Sequence, residues 1–397
     1  MLKRFTGDDR GSVMPLFALS ILPIFGFVGL AVDYSRANSA RTAMQSALDS
    51  AALMLSRDAP NLSQAQLTQK ANDYFRALYT RADVQNLALT ATFETVQAGS
   101  FKVNLSGSGA IDTSFTRLFG QNQIQIGTTS EVAWGLKRLE VALALDNTGS
   151  MASHGKISEL KKAVKSLLDT LQNAAKRPDD VKVAIIPFDT TVSIGKNYKN
   201  EPWIDYSVNN IKKKKWQGCV EDRDQPNDVL DTTPVGESSY FPAADCSGAL
   251  ADVMPLTNDW DALRNRVNQM NPNGNTNVTI GLVWAWHALT QNLPLTEASA
   301  PTPDLDKVIV LLTDGENTQN RWTYSTSAID ARTAAACSNI KAANVKIYTV
   351  RVIDGNTTLL KSCASSPGMY YDVQDASQLN EVFASIAQNL ANLRVAK

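Results

Sequence analysis

The sequence predicts an α/β protein whose main domain is a doubly wound, mostly parallel sheet. Near-continuous apolar runs such as "EVALAL", "VKVAIIPF" and "KVIVLLT" are typical of strands that are buried on both faces. These runs alternate with segments whose apolar residues recur at helical spacing. A longer apolar run near the N-terminus predicts that a transmembrane helix comes first. A small α+β module is expected between that helix and the main domain.

The N-terminal run contains no charged residue from Gly11 to Val32. It reaches the roughly 20 apolar residues that cross a bilayer core of about 30 Å. We therefore interpret residues 1–32 as a cytoplasmic tail followed by a single membrane anchor, residues 11–32. The positive-inside rule only leans toward a cytoplasmic N-terminus, because basic residues occur on both sides of the run. They are Lys3, Arg4 and Arg10 before it and Arg36 and Arg41 after it.

A cleaved signal peptide is the competing interpretation of this run. The run continues directly into "DYSRANSARTAMQSALDSAALMLSR", which is rich in good helix formers and has neither Pro nor Gly. One continuous helix that leaves the membrane is therefore favoured. Pro15 and Pro23 fall within it, and membrane helices tolerate such prolines.

Residues 33–135 are predicted to form the α+β module. A second helix is expected from Leu62, and "LALTATFETV" and "SFKVNLSGSGAI" alternate with the period of two that is typical of strands. The main domain is predicted over residues 136–397, with an insertion at about 196–255 where the alternation lapses. We expect this polar stretch to be a surface insertion, and we expect its Lys212–Lys215 run to be solvated rather than bound to anionic lipid or wall polymer.

The four cysteines bear on the cellular compartment. Cys219 and Cys246 lie in the insertion, whereas Cys337 opens a helix-like run and Cys363 follows the next apolar strand. No C-x-x-C spacing occurs, which argues against a thiolate zinc site. Each pair could form a local disulfide in an oxidising compartment, and free buried thiols are the alternative. Together with the anchor, disulfides would place most of the chain outside the cytoplasm.

The net charge excludes little but does not favour nucleic acid as a partner. Basic and acidic residues nearly balance, at 38 and 39. No strong overall electrostatic field is therefore expected around the protein.

The segment "LALDNTGSMASHGKIS", Leu143 to Ser158, suggests two kinds of site. A phosphate-binding loop needs Gly, four residues, then Gly-Lys-Ser/Thr. Here five residues separate Gly149 from Gly155, and Ile157 replaces the hydroxyl that would hold magnesium. The spacing therefore excludes a nucleotide loop of this type.

A divalent cation site fits the same segment better. Asp146, Thr148 and Ser150 bring three oxygen-bearing side chains to one turn at the end of a buried strand. Hard cations such as Mg²⁺ take oxygen ligands. A second strand-end carboxylate is Asp314, and a third hydroxyl is Thr276. Because ligands bind at the carboxyl ends of parallel strands, we expect these side chains to lie together.

This combination resembles the von Willebrand factor A domain, a Rossmann-like α/β fold, with its metal-ion-dependent adhesion site. The resemblance covers roughly residues 136–393. It implies a Mg²⁺ site, with Ca²⁺ or Mn²⁺ as alternatives, made of Asp146, Thr148, Ser150, Thr276 and Asp314. It also implies that a partner's carboxylate fills an open coordination position. The segment "CASSPGMYY" is similar to the same family, which supports a bridge from Cys337 to Cys363.

The N-terminal segment from Arg10 to Leu53 resembles the opening of TadE/TadG-like proteins of the tight-adherence (Flp) pilus assembly system. The resemblance implies a bacterial inner-membrane protein whose bulk is periplasmic or surface-exposed. The implied partner is a protein of the pilus or envelope. The glutamate that pilin-like relatives often carry is absent, since Met14 and Pro15 stand in that region.

Two functions remain open at this point. One is a pilus-assembly or adhesion component, and the other is a structural envelope protein whose cation only stabilises the fold. We do not expect an enzyme, although Asp189, Glu316 and His154 could lie near the metal. Trp284 and Trp286 are expected in the core rather than at a sugar-binding surface.

Overall fold

The computed structural model describes residues 13–58, 62–97, 100–135, 137–175, 177–248 and 250–395. The predicted cytoplasmic tail and the first two residues of the predicted anchor lie outside the described residues. The chain divides into two compact units after Gly135.

The first unit contains two helices and an antiparallel sheet in the order β1-β2-β3. Ser63 begins the second helix with a capping box, in which its hydroxyl accepts from the Gln66 amide and Gln66 bonds back to its backbone. The elements are α1 (Val13–Asp58), α2 (Gln64–Leu78), β1 (Val84–Gln97), β2 (Ser100–Asp112) and β3 (Gln123–Gly135).

Helix α1 is continuous through the end of the predicted anchor, as expected from its composition, and Pro23 lies inside it. By length and composition its Leu19–Ser56 stretch could cross a membrane, and little of the most apolar part is buried. Beyond this part, the helix packs on the sheet and α2. The side chains of Met44, Leu48 and Phe75 are buried in this core.

The second unit is built on a six-stranded sheet. The strands of this unit are β4 (Arg138–Asp146), β5 (Val181–Phe188), β6 (Val192–Ser193), β7 (Ile204–Asp205), β8 (Cys219–Val220), β9 (Phe241–Ala244), β10 (Met254–Thr257), β11 (Leu305–Thr313), β12 (Lys346–Val352) and β13 (Tyr370–Val373). Six of them form the sheet in the order β10-β5-β4-β11-β12-β13. The edge strand β10 is antiparallel to its neighbour, and the other five strands are parallel to one another. The α/β class predicted from the sequence is confirmed.

Helices cover both faces of this sheet, because successive residues of a buried strand point to opposite sides. The helices are α3 (Lys156–Ala174), α4 (Trp260–Asn268), α5 (Val278–Ala288), α6 (Thr326–Ala342), α7 (Thr357–Cys363) and α8 (Leu379–Val395). Leu143 of β4 packs with α3, α4 and α8, whereas Ala144 packs with α5 and α6 on the other face.

The predicted surface insertion contributes to the core, so that expectation was wrong. Strands β7, β8 and β9 of this stretch form a small second sheet with β6, which lies just before it. Trp203, Trp216 and Phe241 are buried, and they belong to the same apolar cluster as α5. Every residue of α5 is buried, including Trp284 and Trp286, which confirms the core position predicted for these two tryptophans. Strands of two residues are too short to show a strand period in the sequence.

All four cysteines form disulfides, which confirms bridges over free thiols. Cys219 pairs with Cys246 inside the insertion. Cys337 in α6 pairs with Cys363 at the end of α7.

Candidate functional site

The predicted cation turn begins at Asp146, where β4 ends in the middle of the sheet. The carboxylate is fully buried. Its Oδ1 accepts hydrogen bonds from the Thr148 amide (2.8 Å) and the Thr148 hydroxyl (2.6 Å). Its Oδ2 accepts from the hydroxyl of Thr313 (2.7 Å), the last residue of the parallel neighbour β11. Thr313 holds the orientation of this carboxylate and was not among the site residues predicted from the sequence.

A chain of hydrogen bonds connects this turn to the second predicted carboxylate. The hydroxyls of Thr148 and Ser150 lie 2.9 Å apart. The Ser150 hydroxyl then donates to Oδ1 of Asp314 at 2.6 Å. Four of the five predicted ligands are therefore linked side chain to side chain, although they come from two separate segments of the chain.

The fifth predicted ligand, Thr276, lies at the same edge. Its amide donates to the Thr318 hydroxyl (2.8 Å), which ties it to the loop that follows Asp314. A Cβ added to Gly315 would stand 3.7 Å from both the Ser150 and the Thr276 hydroxyl oxygens. The structure thus places the Thr276 hydroxyl beside the four linked side chains.

Backbone hydrogen bonds join the loop of Thr276 to the turn after Asp146. The amide of Gly149 donates to the carbonyl of Gly274 at 3.0 Å. The amide of Asn273 donates to the carbonyl of Asn147 at 2.8 Å. These bonds need no particular side chain, so the relative position of the two loops does not depend on the ligand residues themselves.

The carboxylates of the site share a low-dielectric environment. Burial, and then the negative charge of nearby Asp314, raise the pKa of Asp146 to about 6. The ammonium of Lys156 lies 2.8 Å from Oδ2 of Asp314 and is buried. Lys156 is the first residue of α3 and was not among the site residues predicted from the sequence. The buried lysine supplies one positive charge to a pair of acidic side chains.

The three additional candidates take different positions. Asp189 is buried at the end of β5, where its Oδ1 accepts from the amide (2.7 Å) and hydroxyl (2.8 Å) of Thr191. Its Oδ2 accepts from Ser247, and burial raises its pKa. Its backbone carbonyl accepts from the amide of Asn277, next to Thr276. These contacts give Asp189 a supporting role for the loop.

Glu316 and His154 are exposed. A ring nitrogen of His154 lies 3.1 Å from the Ser153 hydroxyl. Neither residue has a described contact with the five predicted ligands. The absence of enzymatic activity stays a prediction.

The donor set fits a hard divalent cation. It contains two carboxylates and three hydroxyls and therefore only oxygen, which Mg²⁺ prefers. No group of three or more His, Cys, Asp and Glu side chains that could hold a metal occurs in the part of the chain that the structure describes. Binding at this edge would use the hydroxyls of Thr148, Ser150 and Thr276 together with the carboxylates of Asp146 and Asp314.

Two family models match the chain. Residues 11–55 match the Flp pilus-assembly TadE/G-like family, and residues 238–385 match the von Willebrand factor type A domain. The chain combines a TadE/G-like N-terminus with a von Willebrand A domain. The second match contains Thr276 and Asp314 and begins after Ser150. The structure places the β4 turn in the same sheet as the matched part of the von Willebrand A domain.

Two of the solved structures that are similar to this chain belong to pilus proteins. The pilus adhesin SpaC from Lactobacillus rhamnosus GG is 16% identical with a TM-score of 0.41, over 78% of this chain and 34% of the adhesin. The vWF domain of the type V pili tip protein Mfa5 from Porphyromonas gingivalis is 11% identical with a TM-score of 0.41, over 66% of this chain and 97% of that domain.

A third similar structure is proximal thread matrix protein 1 from the mussel byssus, solved with a zinc-occupied MIDAS motif. It is 13% identical with a TM-score of 0.37, over 65% of this chain and 48% of that protein. The chain thus spans only a third to a half of the length of SpaC and of the mussel protein. No curated protein sequence matches it.

Proposed function

We propose that the protein is a membrane-anchored, extracytoplasmic component of Flp/Tad pilus assembly or surface adhesion. In this proposal it binds an acidic group of a protein partner through a divalent cation. The observation that carries the proposal is the hydrogen-bonded chain from Asp146 through Thr148 and Ser150 to Asp314, beside Thr276. The TadE/G-like match at the N-terminus supports the pilus context.

The five side chains would hold Mg²⁺, or Ca²⁺ or Mn²⁺ in its place. The cation would polarise an oxygen of the partner and fix its position. The charges favour an anionic partner, because a dication outweighs two carboxylates that already have the Lys156 ammonium beside them. The site with its cation would then carry a net positive charge, to which a carboxylate is attracted.

The anchor and the disulfides support the location that we propose. We assign residues 1–32 to the cytoplasmic tail and anchor, 33–135 to the α+β module and 136–397 to the von Willebrand A domain. The two disulfides lie in that last domain, and disulfides persist in oxidising compartments. We therefore place the domain on the periplasmic side of the bacterial inner membrane or at the cell surface.

A structural envelope protein is the second candidate function. It is favoured by the burial of Asp146 and Asp314, because a cation between two buried carboxylates would stabilise the fold whether or not a partner binds. The two candidates differ in what happens when the cation site is lost but the fold is kept.

The test uses the full chain with Asp146→Ala and, as a control, Asp179→Ala at a carboxylate that is 79% exposed. If the cation recruits a partner, Asp146→Ala should fold and localise normally but lose pilus assembly or adhesion. If the cation is only structural, the melting temperature should fall sharply and no Mg²⁺-dependent partner should be found. Wild-type pilus number, adhesion and melting in Asp146→Ala would contradict both functions.

A further inference from the structure

A buried carboxylate lies at the end of the apolar part of α1. Asp33 is 1% exposed. It accepts hydrogen bonds from the amides of Ser114 (2.9 Å), Phe115 (2.9 Å) and Thr116 (2.8 Å), and from the Thr116 hydroxyl (3.0 Å). All four donors belong to the loop between β2 and β3, which we name the 113–122 loop. The buried carboxylate of Asp33 thus holds three consecutive residues of this loop on the helix.

The aromatic residues of the loop lie on α1 toward its N-terminus from Asp33. A Cβ added to Gly29 would come within 2.4 Å of the Phe115 Cβ, and one added to Gly26 within 3.2 Å of the Phe119 ring. Gly26 precedes Asp33 by about two helical turns, which is a rise of about 10 Å. The loop therefore runs alongside the segment that we assign to the membrane.

Most of the apolar surface of the loop is not covered by the protein. Phe115, Leu118 and Phe119 are 44%, 78% and 73% exposed. Phe119 lines a groove together with Phe27 and Leu30, two exposed apolar residues of α1. An apolar groove of about 450 Å³ lies between the loop and the helix. A continuous apolar surface of this kind marks an interaction site, because water is an unfavourable neighbour for it.

We propose that the 113–122 loop enters the outer leaflet of the membrane beside α1, as a second element that contacts lipid. This inference rests on the proposed anchoring by α1. The partner of the exposed loop surface is the lipid bilayer, since this surface is continuous with the exposed apolar surface of the anchor. The loop follows α1 for about 10 Å from Asp33 toward the N-terminus. This length agrees with the roughly 5–10 Å to which interfacial elements are buried in a membrane.

The residues around the loop suit a membrane surface. Tyr34 is exposed next to Asp33, and Arg117 lies within the loop itself. The guanidinium of Arg36 donates to the Ser114 hydroxyl at 3.0 Å. Aromatic side chains with a polar end, and long cationic side chains, are typical of the headgroup region. The buried Asp33 would mark the level at which α1 leaves the hydrocarbon.

The test measures the depth of three positions in the full chain, reconstituted into phosphatidylcholine and phosphatidylglycerol vesicles. Leu118→Cys, Phe27→Cys and Leu53→Cys would each carry the fluorophore NBD. The four native cysteines are all in disulfides, so the label goes to the new thiol. Leu53 is an exposed leucine of α1 about 30 Å beyond Asp33 and serves as the matched control.

Brominated lipid should quench NBD at positions 27 and 118 and leave position 53 unquenched. Quenching at 27 with a water-exposed label at 118 would overturn the inference and leave the anchor standing. A label at 118 that is shielded from water but unquenched would also overturn it, because protein would then cover the loop. An NBD label at position 27 that brominated lipid does not quench would contradict the proposed anchor, and with it this inference.

Discussion

The ammonium of Lys156 and the carboxylate of Asp314 form an ion pair of 2.8 Å in which both side chains are buried. Oδ1 of the same carboxylate accepts from Ser150, so Asp314 joins the lysine to the hydroxyls of the candidate cation site. Lys156 is the first residue of α3, and the positive φ of Gly155 turns the chain into that helix. The start of α3 is therefore part of the site.

Replacing Lys156 by Met should destabilise the protein most when divalent cations are absent. Removal of one partner from a buried ion pair costs about 3–5 kcal/mol, because the other charge is left buried and unpaired. In EDTA we expect a loss of free energy of unfolding of this order, measured by urea denaturation. Mg²⁺ should restore part of it by supplying positive charge near Asp314.

The control is Lys162→Met in the same helix, where the lysine is 62% exposed. This change should alter the free energy of unfolding by less than about 0.5 kcal/mol, with or without Mg²⁺. Equal losses in the two variants, or a loss at position 156 that Mg²⁺ does not reduce, would contradict the role assigned to Lys156.

Gly274→Ala should weaken Mg²⁺ binding although Gly274 is not a ligand. Its φ is +81°, and an added Cβ would lie 2.8 Å from the Ser247 hydroxyl and 3.0 Å from Oδ2 of Asp189. The loop must shift to relieve these contacts, and Thr276 would move with it. Calorimetric titration with Mg²⁺ should show a lower affinity than for the wild type.

Gly236→Ala is the control for this variant. It separates the free-energy cost of a positive φ in alanine from the effect of close contacts with the added Cβ. Gly236 also has a positive φ, +94°, but nothing lies within 4 Å of an added Cβ. Both variants should lose about 1–3 kcal/mol for the unfavourable backbone, and only Gly274→Ala should lose Mg²⁺ affinity. Unchanged affinity in Gly274→Ala would show that the position of the loop does not control the site.

The pH dependence of stability should contain a contribution from Asp222. Burial raises the pKa of this carboxyl from 3.8 to about 7. Between these values the folded state keeps a proton that the unfolded state has released. The free energy of unfolding therefore falls as pH rises, and the loss is complete above the folded-state pKa.

Asp222→Asn should remove this contribution. Between these two pKa values, the free energy of unfolding of the wild type should fall relative to that of the variant as pH rises. The slope of this difference should reach about 1.4 kcal/mol per pH unit. Denaturation at pH 4 and pH 8 measures it. A difference that is independent of pH would contradict the raised pKa.

The Cys337–Cys363 bridge should stabilise the von Willebrand A domain by about 2–4 kcal/mol, as expected for a crosslink that restricts the unfolded chain. It joins α6 to the end of α7 across a sequence separation of 26. The variant with Cys337→Ala and Cys363→Ala should have its unfolding midpoint at a lower urea concentration than the oxidised wild type. Identical midpoints would exclude a stabilising role, and the matching double variant of Cys219 and Cys246 tests the other bridge independently.

The main strands could be predicted from the sequence because burial on both faces produces continuous apolar runs, as in β4 and β11. The positions of Asp146 and Asp314 follow from these runs, since each carboxylate stands where a run ends. Lys156 could not be predicted as a contact of Asp314, because a lysine at a helix start is ordinarily solvated. Only the fold brings residues that are 158 positions apart within hydrogen-bond distance.

Three further features were missed for different physical reasons. Thr313 directly precedes Asp314, and a hydroxyl at a strand end beside a carboxylate was a signal that could have been used. The small sheet of the insertion gave no usable signal, because its strands are too short for a period. Asp33 likewise appeared only as the end of an apolar run, and its four hydrogen-bond donors lie about 80 residues further along the chain.

The position of β4 gives the protein a mechanical property. This strand begins just after the first unit ends, and it finishes at Asp146. A pull between the anchor and a ligand held at Asp146 would therefore act along the strand itself. Parallel ladders hold β4 on both sides, to β5 and to β11, so extraction requires many hydrogen bonds to shear together. The hydrogen bonds of β4 to both neighbouring strands would therefore carry the load of an attachment under tension.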